Sequence, residues 1–272
     1  MIKKQQEIDL KTVKKDGNII SLFGLSLTST GLSGVLKAIT SFKSIGKNVF
    51  IATPNPEFVV FAHKHRWFQD CLNQAQILIP DGIGLVWASI FKFGLKNRLK
   101  RITGVDLTEK LCALAAENNQ TVYFYGGVNG VAERAFVKLQ LKYPRLRGWA
   151  ESGPKLNLDK ENGQWDEDSR RELAESLVTI NQLEPDYLFV ALGMGKQEKF
   201  ICDLWPELKA GVAVGVGGSF DYLSGKTKRA PGIVKQLGFE WLYRLFRQPW
   251  RVGRQKTLLQ FISLTLQEIR SK

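Results

Sequence analysis

DYLFVALGMGKQE, residues 186–198, opens on a run of apolar and aromatic side chains, turns at Gly193 and Gly195, and enters a segment with helical spacing at 197–205. A short apolar run closed by a glycine turn and followed by a helix is how a buried parallel strand feeds its crossover connection. The pattern recurs outward in both directions. NVFIAT (48–53), AQILIP (75–80), TVYFYG (121–126) and GVAVGVG (211–217) read as buried strands, and helical spacing occupies 56–72, 83–93, 106–118, 130–143 and 169–183. Strand and helix alternate, which predicts an α/β fold: a Rossmann-like, mainly parallel sheet with helices on both faces. After Leu223 the pattern changes to GKTKRAPG and then two helical stretches, about 232–248 and 253–270, with Pro249 between them. The expected division is therefore a catalytic-type α/β domain over 1–225 and a basic helical C-terminal appendage over 226–272.

In a sheet of this kind, ligands bind in the crevice outside the strand C-termini, so the strand-to-helix junctions hold the candidate site. They read TPNPE (53–57), PDGIG (80–84), YGGVNG (125–130), LGMGKQE (192–198) and GVGGSFD (215–221). Glycine there permits positive φ and lets a phosphate approach backbone N–H groups at a helix start. Neither YGGVNG nor GVGGSF fits GxGxxG, and SGKT (224–227) lacks the first glycine of a P-loop, Phe220 standing in its place.

Asp81 stands out because PDGIG puts a carboxylate at the end of an apolar strand, where burial is costly unless it serves a turn or a ligand. Thr53 and Asn55 sit at a comparable strand end, Lys196 and Gln197 at another, and RITGVD supplies Arg101. A carboxylate that can take a proton, amides that can hold hydroxyls, and cations with glycine turns that can hold a diphosphate form a coherent group-transfer site. No metal or cofactor is read from the chain. Cys71, Cys112 and Cys202 form no CxxC pair, HKH (63–65) points its imidazoles in different directions, and DED (166–168) directly precedes a helical pattern, where acids serve the helix start.

Net charge is +13, and residues 226–256 hold nine Lys or Arg against the single acid Glu240. Excess charge confined to one segment argues for a local electrostatic contact. No nucleic-acid reading module accompanies it, so nucleic acid is not an expected partner. The N-terminal MIKKQQEIDLKTVKKDGN lacks an apolar run, and the apolar tract 77–95 is broken by Pro80, Asp81, glycines and Lys92. A cytosolic chain with at most peripheral membrane contact is the expectation.

TPNPE, PDGIG, RITGVD, YGGVNG, LGMGKQE, GVGGSFD and KRAPGIVKQLGFEWLYRL, in that order, resemble the WecG/TagA/CpsF family of bacterial glycosyltransferases over about residues 20–256. One departure is Gly195, where the family usually carries proline, which bears on the shape of that turn and on donor choice. The resemblance implies metal-independent, inverting transfer of a hexose from a UDP-sugar to a polyprenyl-diphosphate-linked sugar at the inner face of the cytoplasmic membrane. The implied donor is UDP-N-acetylmannosamine, its uronic acid, or UDP-glucose. By the same resemblance, Asp81 is the general base, and Thr53, Asn55, Arg101 and Gln197 position the acceptor and sugar or stabilise the leaving diphosphate. Asp221 would contact uridine beside the backbone of Gly126, Gly127 and Gly193, with Lys196 near the nucleotide sugar.

The basic segment then has two compatible partners, an anionic leaflet and the diphosphate of donor or acceptor. Arg244, Arg247, Arg251 and Arg254 fall on one helical stripe, with Arg229 upstream. Each arginine near an anionic leaflet contributes about 1 kcal/mol, giving reversible attachment. A basic face that is merely solvated is the plainer alternative. A nucleotide-binding or scaffold protein of the same fold without catalysis is the alternative for the whole chain. Oligomeric state is left open, a homo-oligomer included.

Overall fold

The structure, a computed structural model, describes residues 19–231, 234, 243 and 255–271. In chain order its elements are β1 (Ile19–Leu22), β2 (Leu25–Thr28), α1 (Leu32–Ser44), β3 (Val49–Ala52), α2 (Pro56–Lys64), α3 (Arg66–Gln74), β4 (Ile77–Leu78), α4 (Ile83–Phe93), α5 (Gly104–Glu117), β5 (Thr121–Gly126), α6 (Val131–Lys142), β6 (Arg147–Glu151), α7 (Glu167–Leu183), β7 (Tyr187–Ala191), α8 (Lys196–Leu204), β8 (Val212–Gly215), α9 (Ser219–Leu223) and α10 (Gln255–Arg270).

The strands form one sheet in the order β1-β2-β4-β3-β8-β7-β5-β6. Only the β1–β2 pair is antiparallel; the other neighbours run parallel. The central strands β3, β7 and β8 are buried along their whole length, the reason their sequences are unbroken apolar runs rather than alternating ones. One face is covered by α1, α5, α6 and α9, through Ile39, Leu111, Phe136 and Phe220. The other is covered by α2, α3, α4, α7 and α8, through Phe58, Phe68, Leu85, Leu173 and Phe200.

All five expected strands are present. The region 56–72 is two helices rather than one, broken at His65, whose extended backbone closes α2 and opens α3. The DED segment starts α7, with the Asp166 carboxylate accepting from the Ser169 N–H at 2.9 Å. Of the two expected C-terminal helices, the second is α10; the first, and with it Arg244, Arg247, Arg251 and Arg254, lies outside the described residues.

The sheet order fixes the crevice. From β3 the chain moves outward to β4, whereas β8 arrives beside β3 from the other half, so β3 and β8 flank the point where strand order reverses. Ligands collect outside the strand C-termini at such a point.

Candidate active site

Four loops leave the C-terminal edge around that reversal, and hydrogen bonds to backbone groups tie them together. Beyond β3, the buried Thr53 hydroxyl donates to the Gly215 carbonyl of β8 at 3.1 Å. Two residues on, Asn55 caps α2, its Oδ1 accepting from the N–H groups of Glu57 (2.8 Å) and Phe58 (3.2 Å), with Pro56 at the first helical position. Beyond β4, the Asp81 N–H donates to the Pro54 carbonyl at 2.8 Å, and Arg101 Nε donates to the Asp81 carbonyl at 2.8 Å. The Asp81 main chain is thereby held between two neighbouring loops, and its carboxylate sits at the edge of the sheet.

Beyond β7 comes the turn that opens α8. Gly195 has φ 85° and ψ −52°, a conformation closed to proline, whose ring fixes φ near −65°. Its N–H donates to Glu198 Oε2 at 2.8 Å, a bond proline could not make. Gly195→Pro is therefore expected to destabilise this protein by on the order of 3 kcal/mol, read as a lowered thermal midpoint.

Gln197, 2% exposed, donates from Nε2 to Glu198 Oε1 at 2.6 Å and accepts at Oε1 from the Gly217 N–H at 2.9 Å. Glu198 is fully buried, and burial pushes its carboxyl up to about 7 against hydrogen bonds from Gln197 and Gly195 that lower it. In the sequence Glu198 is inconspicuous, because an acid in the first turn of a helix reads as ordinary dipole compensation.

These loops surround a cavity of about 890 Å³. Thr53, Asn55, Asp81, Arg101, Gly193 and Gln197 all line it, so six of the candidate residues from four loops meet in one place. The first turns of α2, α4, α5 and α8 also open onto it, turning the positive ends of four helix dipoles towards whatever occupies it. The opposite wall is apolar: Trp87 and Phe91 from α4 face Phe261, Ile262, Leu266 and Ile269 from α10. Phe261 is buried, its ring 5.5 Å from that of Phe23, and α10 packs on α2 and α4. Trp87 is 44%, Phe91 70%, Ile262 48% and Leu266 51% exposed, so the cavity opens onto an apolar rim.

Other candidates are not among the lining residues. Gly126 and Gly127 end β5 at positive φ; a Cβ on Gly126 would lie 2.7 Å from the Ala191 carbonyl oxygen, so packing alone requires glycine there. The Lys196 ammonium donates to the Leu156 carbonyl. Asp221 pairs with Lys226 at 3.3 Å, and Arg229 with Asp106 at 2.8 Å.

A parallel sheet with a carboxylate, an arginine, amides and helix N-termini at its reversal point has the make-up of a group-transfer site that can hold a diphosphate. The chain matches the glycosyl transferase WecG/TagA/CpsF family over residues 20–272, and it belongs to that family of glycosyltransferases. Among its relatives are the N-acetylglucosaminyldiphosphoundecaprenol N-acetyl-beta-D-mannosaminyltransferases of Staphylococcus aureus strains MW2 and NCTC 8325 / PS 47. Each is 32% identical over 256 residues, covering 92% of this chain and 94% of the relative. Among the described residues no helix is long and apolar enough to cross a membrane.

Proposed function

We propose that the protein transfers N-acetylmannosamine from its UDP derivative to a polyprenyl-diphosphate-linked N-acetylglucosamine, with inversion and without a metal, at the surface of an anionic membrane. The observation that carries this reading is the single cavity in which Asp81, Arg101 and four helix N-termini stand opposite an apolar wall. The acceptor has the same division, a polar sugar diphosphate joined to a hydrocarbon chain. The names of the relatives support this donor and acceptor over the uronic acid or glucose.

The chemistry is one displacement. Asp81 takes the proton of the acceptor hydroxyl as its oxygen attacks the anomeric carbon, and the bond to UDP breaks with its electron pair leaving on the diphosphate. One displacement inverts the configuration and needs one base. Charge developing on the diphosphate is met by Arg101 and by N–H groups at the helix starts, which are already oriented when the bond breaks. Thr53, Asn55 and Gln197 hold sugar hydroxyls, and Gly193 lets the donor approach the backbone. In this account Asp221, Lys196, Gly126 and Gly127 act from outside the cavity wall, on the uridine side.

The apolar rim and the basic segment divide the membrane contact. Trp87, Phe91, Ile262 and Leu266 conduct the prenyl chain out of the cavity into the acyl layer, and the arginines of 229–254 meet lipid headgroups and substrate diphosphate. Activity is expected to be the same in EDTA as in added Mg²⁺, measured as UDP release; loss in EDTA with recovery on Mg²⁺ or Mn²⁺ would overturn the metal-free part.

A further inference from the structure

We propose that Glu198 is a positioning residue for this transfer: its carboxylate fixes the Gln197 amide in the one orientation that ties the turn after β8 to the turn after β7. The inference rests on the reading of the cavity as the transfer site. The geometry leaves the amide no choice while Glu198 is ionised. Gln197 Nε2 faces Glu198 Oε1 at 2.6 Å, and its Oε1 faces the Gly217 N–H at 2.9 Å. Turned over, the amide would set carbonyl against carboxylate and NH₂ against N–H, two mismatches in place of two bonds. Crowding closes other routes: a Cβ on Gly215 would lie 2.8 Å from both Gln197 Nε2 and Glu198 Oε1, so the β8 backbone presses directly on the pair. The remaining carboxylate oxygen accepts from Gly195 N–H at 2.8 Å. One buried carboxylate thus joins Gly195, Gln197 and Gly217, and both Gln197 and Gly217 line the cavity.

Protonation breaks this arrangement. A carboxylic acid has an O–H that must face either the Gly195 N–H or the Gln197 NH₂, so a donor meets a donor. Turning the amide to relieve the clash moves the mismatch to Gly217. No ion pair offsets the charge of Glu198 among the described residues, and its burial raises its proton affinity to about 7. The native state therefore holds this proton more tightly than the unfolded chain. The stabilisation is present below about pH 4.5 and is lost as pH rises through about 7. The ionised form costs stability, yet it is the form that orients Gln197.

The titratable groups around Glu198 are few. From α3, the Cys71 thiol donates to the Glu198 carbonyl at 3.2 Å; on α8 itself stand Cys202 and the Lys199–Asp203 pair. Its hydrogen bond with Cys202, together with burial, drives the Cys71 thiol far up, while the same bond pulls Cys202 down. Cys202→Ser separates the thiol from the carboxylate.

The test uses side-chain amide NMR of the substrate-free protein, with the Gln197 signals identified by their loss in Gln197→Ala. We expect these signals to titrate with a midpoint near pH 7, to titrate unchanged in Cys202→Ser, and to be independent of pH in Glu198→Gln. A pH-independent Gln197 amide in the native protein, or titration that persists in Glu198→Gln, overturns the proposal. In the transfer assay, kcat/KM should rise through a limb near pH 7 that Glu198→Gln lacks. That variant should run about tenfold or more below native at pH 8, mainly in kcat, the loss typical of a hydrogen bond to a charged group. Glu198→Asp, which keeps the charge, should retain a limb even at reduced stability. Absence of turnover with every donor would defeat the transfer reading and leave the NMR result to decide the role of Glu198.

Discussion

Asp81→Asn is expected to lower kcat by about 10³-fold or more while changing the affinity for UDP-sugar by less than about threefold, the upper range for loss of a general base with binding left intact. The expectation follows from how the residue is held. Its N–H bonds to Pro54 and its carbonyl accepts from Arg101, and both bonds belong to the main chain. Asparagine keeps them, matches aspartate in size, and removes the basicity of the carboxylate. Initial rates together with calorimetric titration of the donor separate the two quantities. Full activity in the variant would remove Asp81 as the base, and a large loss of donor affinity would make it a binding residue instead.

The second large effect concerns the rim. Phe91→Glu combined with Leu266→Glu should weaken binding to anionic vesicles by on the order of 100-fold, since each side chain contributes roughly 1.5 kcal/mol or more when it enters an apolar phase and each new charge is repelled by the surface. Both positions are more than half exposed and face solvent in the described structure, so the fold has little to lose. Vesicle co-sedimentation reads the effect, and UDP affinity measured without vesicles should stay within about threefold. Unchanged sedimentation would assign membrane attachment wholly to the basic segment. Deleting everything from Arg229 onward is a blunter test, because it also removes Phe261 from the core beside Phe23.

The parts of the fold legible in the sequence are those whose physics is local. β3, β5, β7 and β8 announce themselves because strands buried on both faces are continuous apolar runs. The β1–β2 hairpin is silent because its two-residue turn is Phe23-Gly24, with φ of 57° and 71°. A turn with two positive φ values usually displays Asn or Asp before Gly; here Phe23 takes the strained position and packs on Phe261 instead. β6 escapes notice because RGWAE is an edge strand with charged ends and intermediate burial. The break at His65 was hidden because the apolar spacing continues through it.

The site shows the same division. Thr53, Asn55, Asp81 and Gln197 were recoverable because each follows a strand or starts a helix, where a polar side chain needs a reason; Gly193 marks the turn after β7, and Arg101 stands just before the start of α5. What the sequence could not convey is which turns share a wall. Gly126 and Gly127 read as phosphate turns, and close packing bears on both as well: a Cβ on Gly126 would meet the Ala191 backbone of β7, and one on Gly127 the Val131 side chain. Glu198 looks like helix chemistry, yet it is the buried partner of Gln197. The apolar wall contributed by α10 depends on a contact between residues far apart in the chain.

The most direct test of the account is transfer itself. The protein is incubated with UDP-N-acetylmannosamine and a short-chain prenyl-diphosphate N-acetylglucosamine, and UDP, product mass and anomeric configuration are read together. One UDP is expected to be released per hexose transferred, with the configuration inverted. Tight binding of the UDP-sugar with no product from this or any other UDP-hexose would contradict it.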